Sequence, residues 1–308
     1  MSLTVVGSIA FDAVKTPFGE RERMLGGAAV HFSLAASFFT EVRPVGPVGD
    51  DFGPEQFEVL EKRGVITDDV ERVTGGQSFF WRGRYEYDLN VAHTEDTQLG
   101  VFAEFEPKLS PASQAADTLF LANIQPDLQR QVRAQCTAAR LSGLDSMNLW
   151  IETAKDSLSA AIAEVDVLVV NDAEIRMLTD ESNLARAARA VMDMGPRAVV
   201  AKQGEYGAAL FTESGFFALP GFPLEDVRDP TGAGDSFAGG FFGYLDSVAE
   251  IDDGELRRAM GYGTVLASFN VEEFGTERVS RLTREEIDER FEELRSMTQF
   301  EGLPATRG

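Results

Sequence analysis

Residues 229–245 read DPTGAGDSFAGGFFGYL. Pro230 cannot continue a strand ladder, and Gly232-Ala233-Gly234 lets a turn run straight into a helix with its first amides exposed. A helix N-terminus with small side chains is an anion site, built from unsatisfied N–H donors and the positive end of the dipole. Asp235 falls in the first turn, beside whatever anion docks there. Downstream, Ala238, Gly239, Gly240 and Gly243 permit close helix packing, while Phe237, Phe241 and Leu245 suit a core. Spacing alone leaves two readings. One is a glycine-rich, capped structural helix. The other is a centre where a carboxylate takes a hydroxyl proton while backbone amides take up charge on a phosphoryl group in flight.

The flanking chain supplies the frame. Apolar strands are expected at Leu3–Gly7, Val42–Val45, Thr118–Ile124, Leu141–Asp145, Val165–Val170, Ala198–Lys202 and Ala208–Phe211. Between them, helical patterns occupy Gly26–Phe39, Pro54–Arg63, Asp127–Ala139, Ser157–Glu164 and Leu184–Met194, with a start at NDAEIRML. Further helices fall at Glu255–Asn270 and Glu285–Thr298, and Gln299–Gly308 reads as a loose tail. This alternation predicts an α/β fold, a doubly wound and mainly parallel sheet flanked by helices. Phe79–Tyr87 differs: aromatics alternate with Arg82, Arg84 and Glu86, the period of a half-exposed strand, and Val101–Phe105 is its expected partner.

Composition removes several function classes. A net charge of −23 repels nucleic-acid phosphates and anionic membranes, so neither is an expected partner. Lysines occur only at positions 15, 62, 108, 155 and 202; a salt-rich habitat and high-GC coding each produce such an acidic, arginine-biased chain. Cys136 stands alone, and His31 and His93 lie far apart, which excludes an intrachain disulfide and disfavours zinc. The first residues lack a basic, apolar leader pattern, and the expected location is the cytoplasm. There is no GxxxxGK[ST], no GxGxxG after the first strand and no GxSxG. P-loop, dinucleotide-binding and nucleophile-elbow readings therefore lack their defining motifs.

The stretch 229–242 resembles the C-terminal signature of the ribokinase-like, phosphofructokinase-B type sugar kinases, and the order of the other features resembles that family over almost the whole chain. The resemblance implies one ribokinase-like kinase domain over 1–308, with a small β-sheet lid from segments of about 11–25 and 76–106. It implies ATP and Mg2+ as cofactors and a small sugar-like acceptor. By it, Asp235 is the base, and the amides of Gly232, Ala233 and Gly234 form the anion hole. Asn171 and Glu174, an N-x-x-E pattern, organise magnesium through water. By spacing alone these two also read as a capping-box helix start.

The resemblance further places Lys202, Gly204, Gly207, Thr231 and Thr264 near the nucleotide. Lys202 stands where a small hydroxyl residue is common, and either meets a phosphate or caps a strand end. Asp12, Gly26, Gly27, His31, Asp145 and Asn148 fall at the acceptor. His31 replaces the family's usual asparagine, so either it bonds the substrate or it packs in the core. Trp81 is a cover for the substrate, and Arg84 a clamp for an acid or phosphate group or else a solvated charge. Asp229 with nearby carbonyls is a place for K+, which activates many relatives, and the lids are an expected homodimer contact. Two alternatives accompany this reading: a nucleoside kinase, and a sensor of sugars or nucleotides that has lost turnover.

Overall fold

The computed structural model describes residues 1–300; the remainder of the expected tail, 301–308, lies outside the described residues. Thirteen strands form in chain order. They are β1 (Ser2–Val6), β2 (Ala10–Thr16), β3 (Gly19–Gly26), β4 (Glu41–Val48), β5 (Val70–Arg72), β6 (Phe79–Tyr85), β7 (Ala92–Gln98), β8 (Thr118–Leu121), β9 (Leu141–Asp145), β10 (Val167–Asn171), β11 (Ala198–Lys202), β12 (Ala208–Thr212) and β13 (Gly215–Leu219). Nine of them make one sheet in the order β13-β12-β11-β10-β9-β8-β1-β4-β5. It is parallel from β5 to β11, and β12 and β13 are added antiparallel. The doubly wound, mainly parallel architecture expected from the sequence is the one observed.

Both faces of this sheet are covered, which is why its strands read as continuous apolar runs rather than alternating ones. Phe120 of β8 packs on one side, with its ring 4.5 Å from Phe32 and 4.9 Å from Phe242. Its neighbours Leu119 and Leu121 pack on the other side, in the cluster with Val132, Leu158 and Ile175. The helix Ala233–Ser247 lies between the helices Ala28–Ala36 and Asp253–Asn270, and its small residues set how closely it sits. A Cβ on Gly239 would stand 2.3 Å from the Phe32 carbonyl oxygen, and one on Gly240 would stand 2.8 Å from that of Tyr262.

The other four strands form a small sheet, β3-β2-β6-β7, with β2 and β6 parallel and both outer pairs antiparallel. Here one expectation changes. Gly100–Glu104 is a short 3-10 helix, and the partner of β6 is β7, whose sequence AHTEDTQ is exposed at every position and so lacks an apolar signal. Asp12 lies in β2 and is buried there.

Asp145, Asn171 and Lys202 are the last residues of β9, β10 and β11, and Asn171 pairs directly with Lys202 in register. Three candidate residues therefore share the carboxyl edge of the sheet, where open parallel sheets bind ligands.

Candidate active site

The turn before the Ala233–Ser247 helix is fastened from three directions. Asp229, fully buried, accepts the amide of Thr231 at 2.9 Å with one oxygen and that of Gly275 at 3.0 Å with the other. A monovalent cation at Asp229 would have to share oxygens already committed to these amides. Asn270 donates from Nδ2 to the Thr231 carbonyl at 2.7 Å, and its Oδ1 accepts the Ser236 hydroxyl at 3.0 Å. His31 Nδ1 lies 3.0 Å from the same Oδ1. Since that oxygen only accepts, Nδ1 carries the ring proton. Burial lowers the His31 pKa to about 4, so the ring is neutral.

His31 is 2% exposed, and Nε2 is enclosed without a hydrogen-bond partner among the described residues. Its ring presses on Gly232, the N-cap residue, where an added Cβ would meet Cγ, Nδ1 and Cε1 at 2.3–2.4 Å. His31 thus backs the glycine turn from behind, which fits the packed reading of this residue. Gly232 also holds φ +77, in the left-handed region. Gly232→Ala combines that strain with the clash on His31 and is expected to cost about 2–4 kcal/mol of stability. Denaturant unfolding measures it, and an unchanged midpoint would contradict the packing described.

A carboxylate cluster with one ammonium lies at the other end of the turn. Asp235 is pushed up to about 7, chiefly by burial; the Asp145 carboxylate adds to this and Lys202 opposes it. Lys202 Nζ pairs with Asp145 Oδ2 at 3.3 Å. It also sits 2.9 Å from where a Cβ of Gly234 would be, against the glycine turn itself. Burial disfavours the Lys202 ammonium, but Asp145, Glu174 and Asp235 outweigh it and raise its pKa. Lys202 therefore stays charged, with its counterion supplied by a strand two positions away in the sheet. Asp145 was expected at the acceptor; here it pairs with this lysine. Asn148 is exposed at the start of the next helix, away from that pair.

Asn171 and Glu174 form a reciprocal capping box: Asn171 Oδ1 accepts the Glu174 amide, and Glu174 Oε2 accepts that of Asn171, each at 2.8 Å. Burial pushes the Glu174 carboxyl up to about 7, with the Lys202 charge opposing. One carboxylate oxygen is left over from the box. This donor set suits Mg2+ held through water and phosphate oxygens, the usual habit of that ion, rather than an all-protein cage. Among the described residues there is no group of three or more His, Cys, Asp or Glu able to hold a metal.

The turn after β11 runs through the short 3-10 helix Gly204–Tyr206 and closes at Gly207, with both glycines at positive φ. Thr264 is buried in the middle of the Asp253–Asn270 helix, and its hydroxyl has no hydrogen-bond partner among the described residues.

On the small sheet, Asp12 is pushed up to about 7, chiefly by burial, and the charges of Asp229 and Asp235 reinforce this. A Cβ on Gly26 would lie 2.0 Å from Asp12 Oδ2, and the Gly27 amide donates to that oxygen at 3.4 Å. The two glycines thus make room for this carboxylate. From β6, the Tyr85 hydroxyl accepts a hydrogen bond from Thr231 Oγ1 at 3.2 Å. Trp81 shares the Tyr85 face by alternation, covers Gly83 and donates from Nε1 to Thr94 Oγ1 at 3.1 Å. Arg84 is on the opposite face, paired with Glu86 and Glu95, and Arg82 pairs with Glu22. Of the two readings of Arg84, its pairing with surface carboxylates fits the solvated charge.

The sequence profile of the pfkB family carbohydrate kinases matches residues 3–282. The chain belongs to the pfkB family of carbohydrate kinases. It is 27% identical over 248 residues to a cytidine kinase of Thermococcus kodakarensis, covering 78% of this chain and 87% of that one. It is 28% identical over 246 residues to an ATP-dependent ribose-1-phosphate kinase of Halopiger xanaduensis, covering 79% of each. The nucleoside kinase of Burkholderia thailandensis in complex with ADP-inosine superposes with a TM-score of 0.78 at 19% identity, covering 95% of both chains. This pfkB kinase is thus an ATP-dependent enzyme of the carbohydrate and nucleoside kinase group, with the ribokinase fold. No helix of its described residues is long and apolar enough to cross a membrane.

Sequence reasoning missed Asn270 and Ser236 in this kinase. Asn270 closes its helix, where asparagine is an ordinary stop signal, and nothing local in the sequence ties it to Thr231, 39 residues earlier.

Proposed function

We propose that this kinase moves the γ-phosphoryl group of ATP to a hydroxymethyl-type alcohol on a small, neutral acceptor, with Asp235 as general base. The observation that carries the reading is a carboxylate in the first turn of a glycine-opened helix, poised near neutral pH by its surroundings. The acceptor O–H proton passes to an Asp235 oxygen as its oxygen bonds to the γ-phosphorus. The bond from phosphorus to the β–γ bridging oxygen breaks, and ADP leaves with that electron pair. The amides of Gly232, Ala233 and Gly234 take up charge on the equatorial oxygens. Lys202 adds a fixed positive charge against the same turn. Glu174 and Asn171 would hold Mg2+ through its waters, and the ion would supply positive charge to offset that of the polyphosphate.

Charge selects the class of acceptor. Asp12 feels the charges of Asp229 and Asp235, while Arg82 and Arg84 are paired elsewhere. Such a pocket repels sugar acids and sugar phosphates and accepts neutral polyols. A nucleoside is the form of this reading that the aromatic face of β6 favours, because Trp81 and Tyr85 offer flat apolar surface on the side that meets Thr231. The cytidine kinase and nucleoside kinase relatives support it.

A panel of neutral sugars, nucleosides, sugar acids and sugar phosphates tests the assignment. Neutral acceptors are expected to show the higher kcat/KM, and a strong preference for a sugar phosphate would overturn it. The pH profile provides a second check. A base raised to about 7 keeps its proton below that value, so kcat/KM rises with pH through about 7 and drops about tenfold per unit on the acid side. A profile flat across this range would remove Asp235 from the role.

A further inference from the structure

One hairpin of the small sheet reaches both ends of the site. Its base is Tyr85, the last residue of β6, whose hydroxyl meets Thr231 next to the anion-binding turn. Its tip, residues 86–91, extends to the turn after β11. There, a Cβ on Gly204 would stand 2.3 Å from Asn90 Oδ1 and 3.3 Å from Asn90 Cγ. Apart from chain neighbours, only this carboxamide among the described residues lies within 4 Å of that position. Gly204 holds φ +57, so an L side chain is disfavoured there twice over, by backbone and by Asn90.

The tip is shaped to present this side chain. Leu89 adopts a left-handed φ of +55, its amide donates to the Glu86 carbonyl at 3.0 Å, and the Asn90 amide donates to Asp88 Oδ1 at 3.3 Å. The Asn90 side chain itself is exposed and makes no hydrogen bond among the described residues. A carboxamide with two donors and an acceptor is thus held beside the Lys202–Gly207 turn with its polar atoms unspent.

We infer that Asn90 is a nucleotide-binding residue contributed by the small sheet, its carboxamide bonding a ribose or phosphate oxygen of the nucleotide at the 202–207 turn. The inference rests on the kinase reading given above. It assigns the hairpin two tasks: Tyr85 at the acceptor end and Asn90 at the nucleotide end.

Calorimetric titration of ADP and ATP without any acceptor tests it, using the wild type, Asn90→Ala and Asn90→Asp. Loss of one hydrogen bond to a charged or polyol ligand predicts an affinity about 5–30-fold weaker in Asn90→Ala, with the acceptor KM within about twofold. Asn90→Asp is expected to bind ATP more weakly still, because a carboxylate would face polyphosphate. Melting temperatures should match the wild type, since the side chain is exposed and unbonded. Nucleotide affinity in Asn90→Ala equal to or tighter than wild type would overturn the inference while leaving the kinase reading intact. A wild-type chain that binds neither nucleotide would overturn both.

Discussion

Asp235→Asn is expected to lower turnover roughly 10²–10⁴-fold while ADP still binds, the loss typical of removing a positioned general base. The same change is expected to stabilise the protein at alkaline pH. The native carboxyl is raised from 3.8 to about 7, so the folded state holds a proton that the unfolded chain releases more readily. Its contribution to stability is fully present below about pH 4 and is lost as pH rises to about 7. Above that, the wild type carries an ionised carboxylate that burial and Asp145 both oppose. Discounted for the partial exposure of this residue, the amide should gain about 1–3 kcal/mol at pH 8, a few degrees in Tm for a chain of this size. Activity lost together with stability would instead mark Asp235 as structural.

Lys202→Met should produce the second large effect, on two properties that can be separated. Catalysis loses the one ammonium lying against Gly234, and turnover is expected to drop about 10²–10³-fold, as for other fixed charges at a developing anion. Stability declines as well, because Asp145 keeps a buried carboxylate without its partner at 3.3 Å; breaking such a pair from one side costs about 3–5 kcal/mol. The acid limb of the pH profile should move to higher pH, since Lys202 is the cation that holds the Asp235 pKa down. Lys202→Met combined with Asp145→Asn removes both charges and should restore most of the stability. It should not restore turnover. Full recovery of activity in the double variant would reduce Lys202 to a counterion for Asp145.

The parts of this kinase that were legible in the sequence are those whose signal is local. Parallel strands buried on both faces write continuous apolar runs, and Leu141–Asp145 and Ala198–Lys202 match their expected limits. The glycine-opened helix was readable because its small residues and its carboxylate fall within a single turn. β7 was not readable: an exposed edge strand buries nothing, and its polar sequence looks like a loop. The role of His31 was hidden for a different reason. A helical position says which residues neighbour it along the chain, but the face that meets Gly232 and Asn270 is set by partners about 200 or more residues away. Asp145 and Lys202 likewise meet only because β9, β10 and β11 lie side by side. Their juxtaposition turns two separately assigned residues into one ion pair at the edge of the sheet.

ADP production from ATP and Mg2+, measured with and without each neutral acceptor, tests the central claim most directly. The account predicts ADP release that requires an acceptor alcohol, forms one phosphorylated product per ADP and collapses in Asp235→Asn. Tight binding of nucleotide and acceptor with no ADP formed across the panel would contradict it and leave a sensor in place of an enzyme.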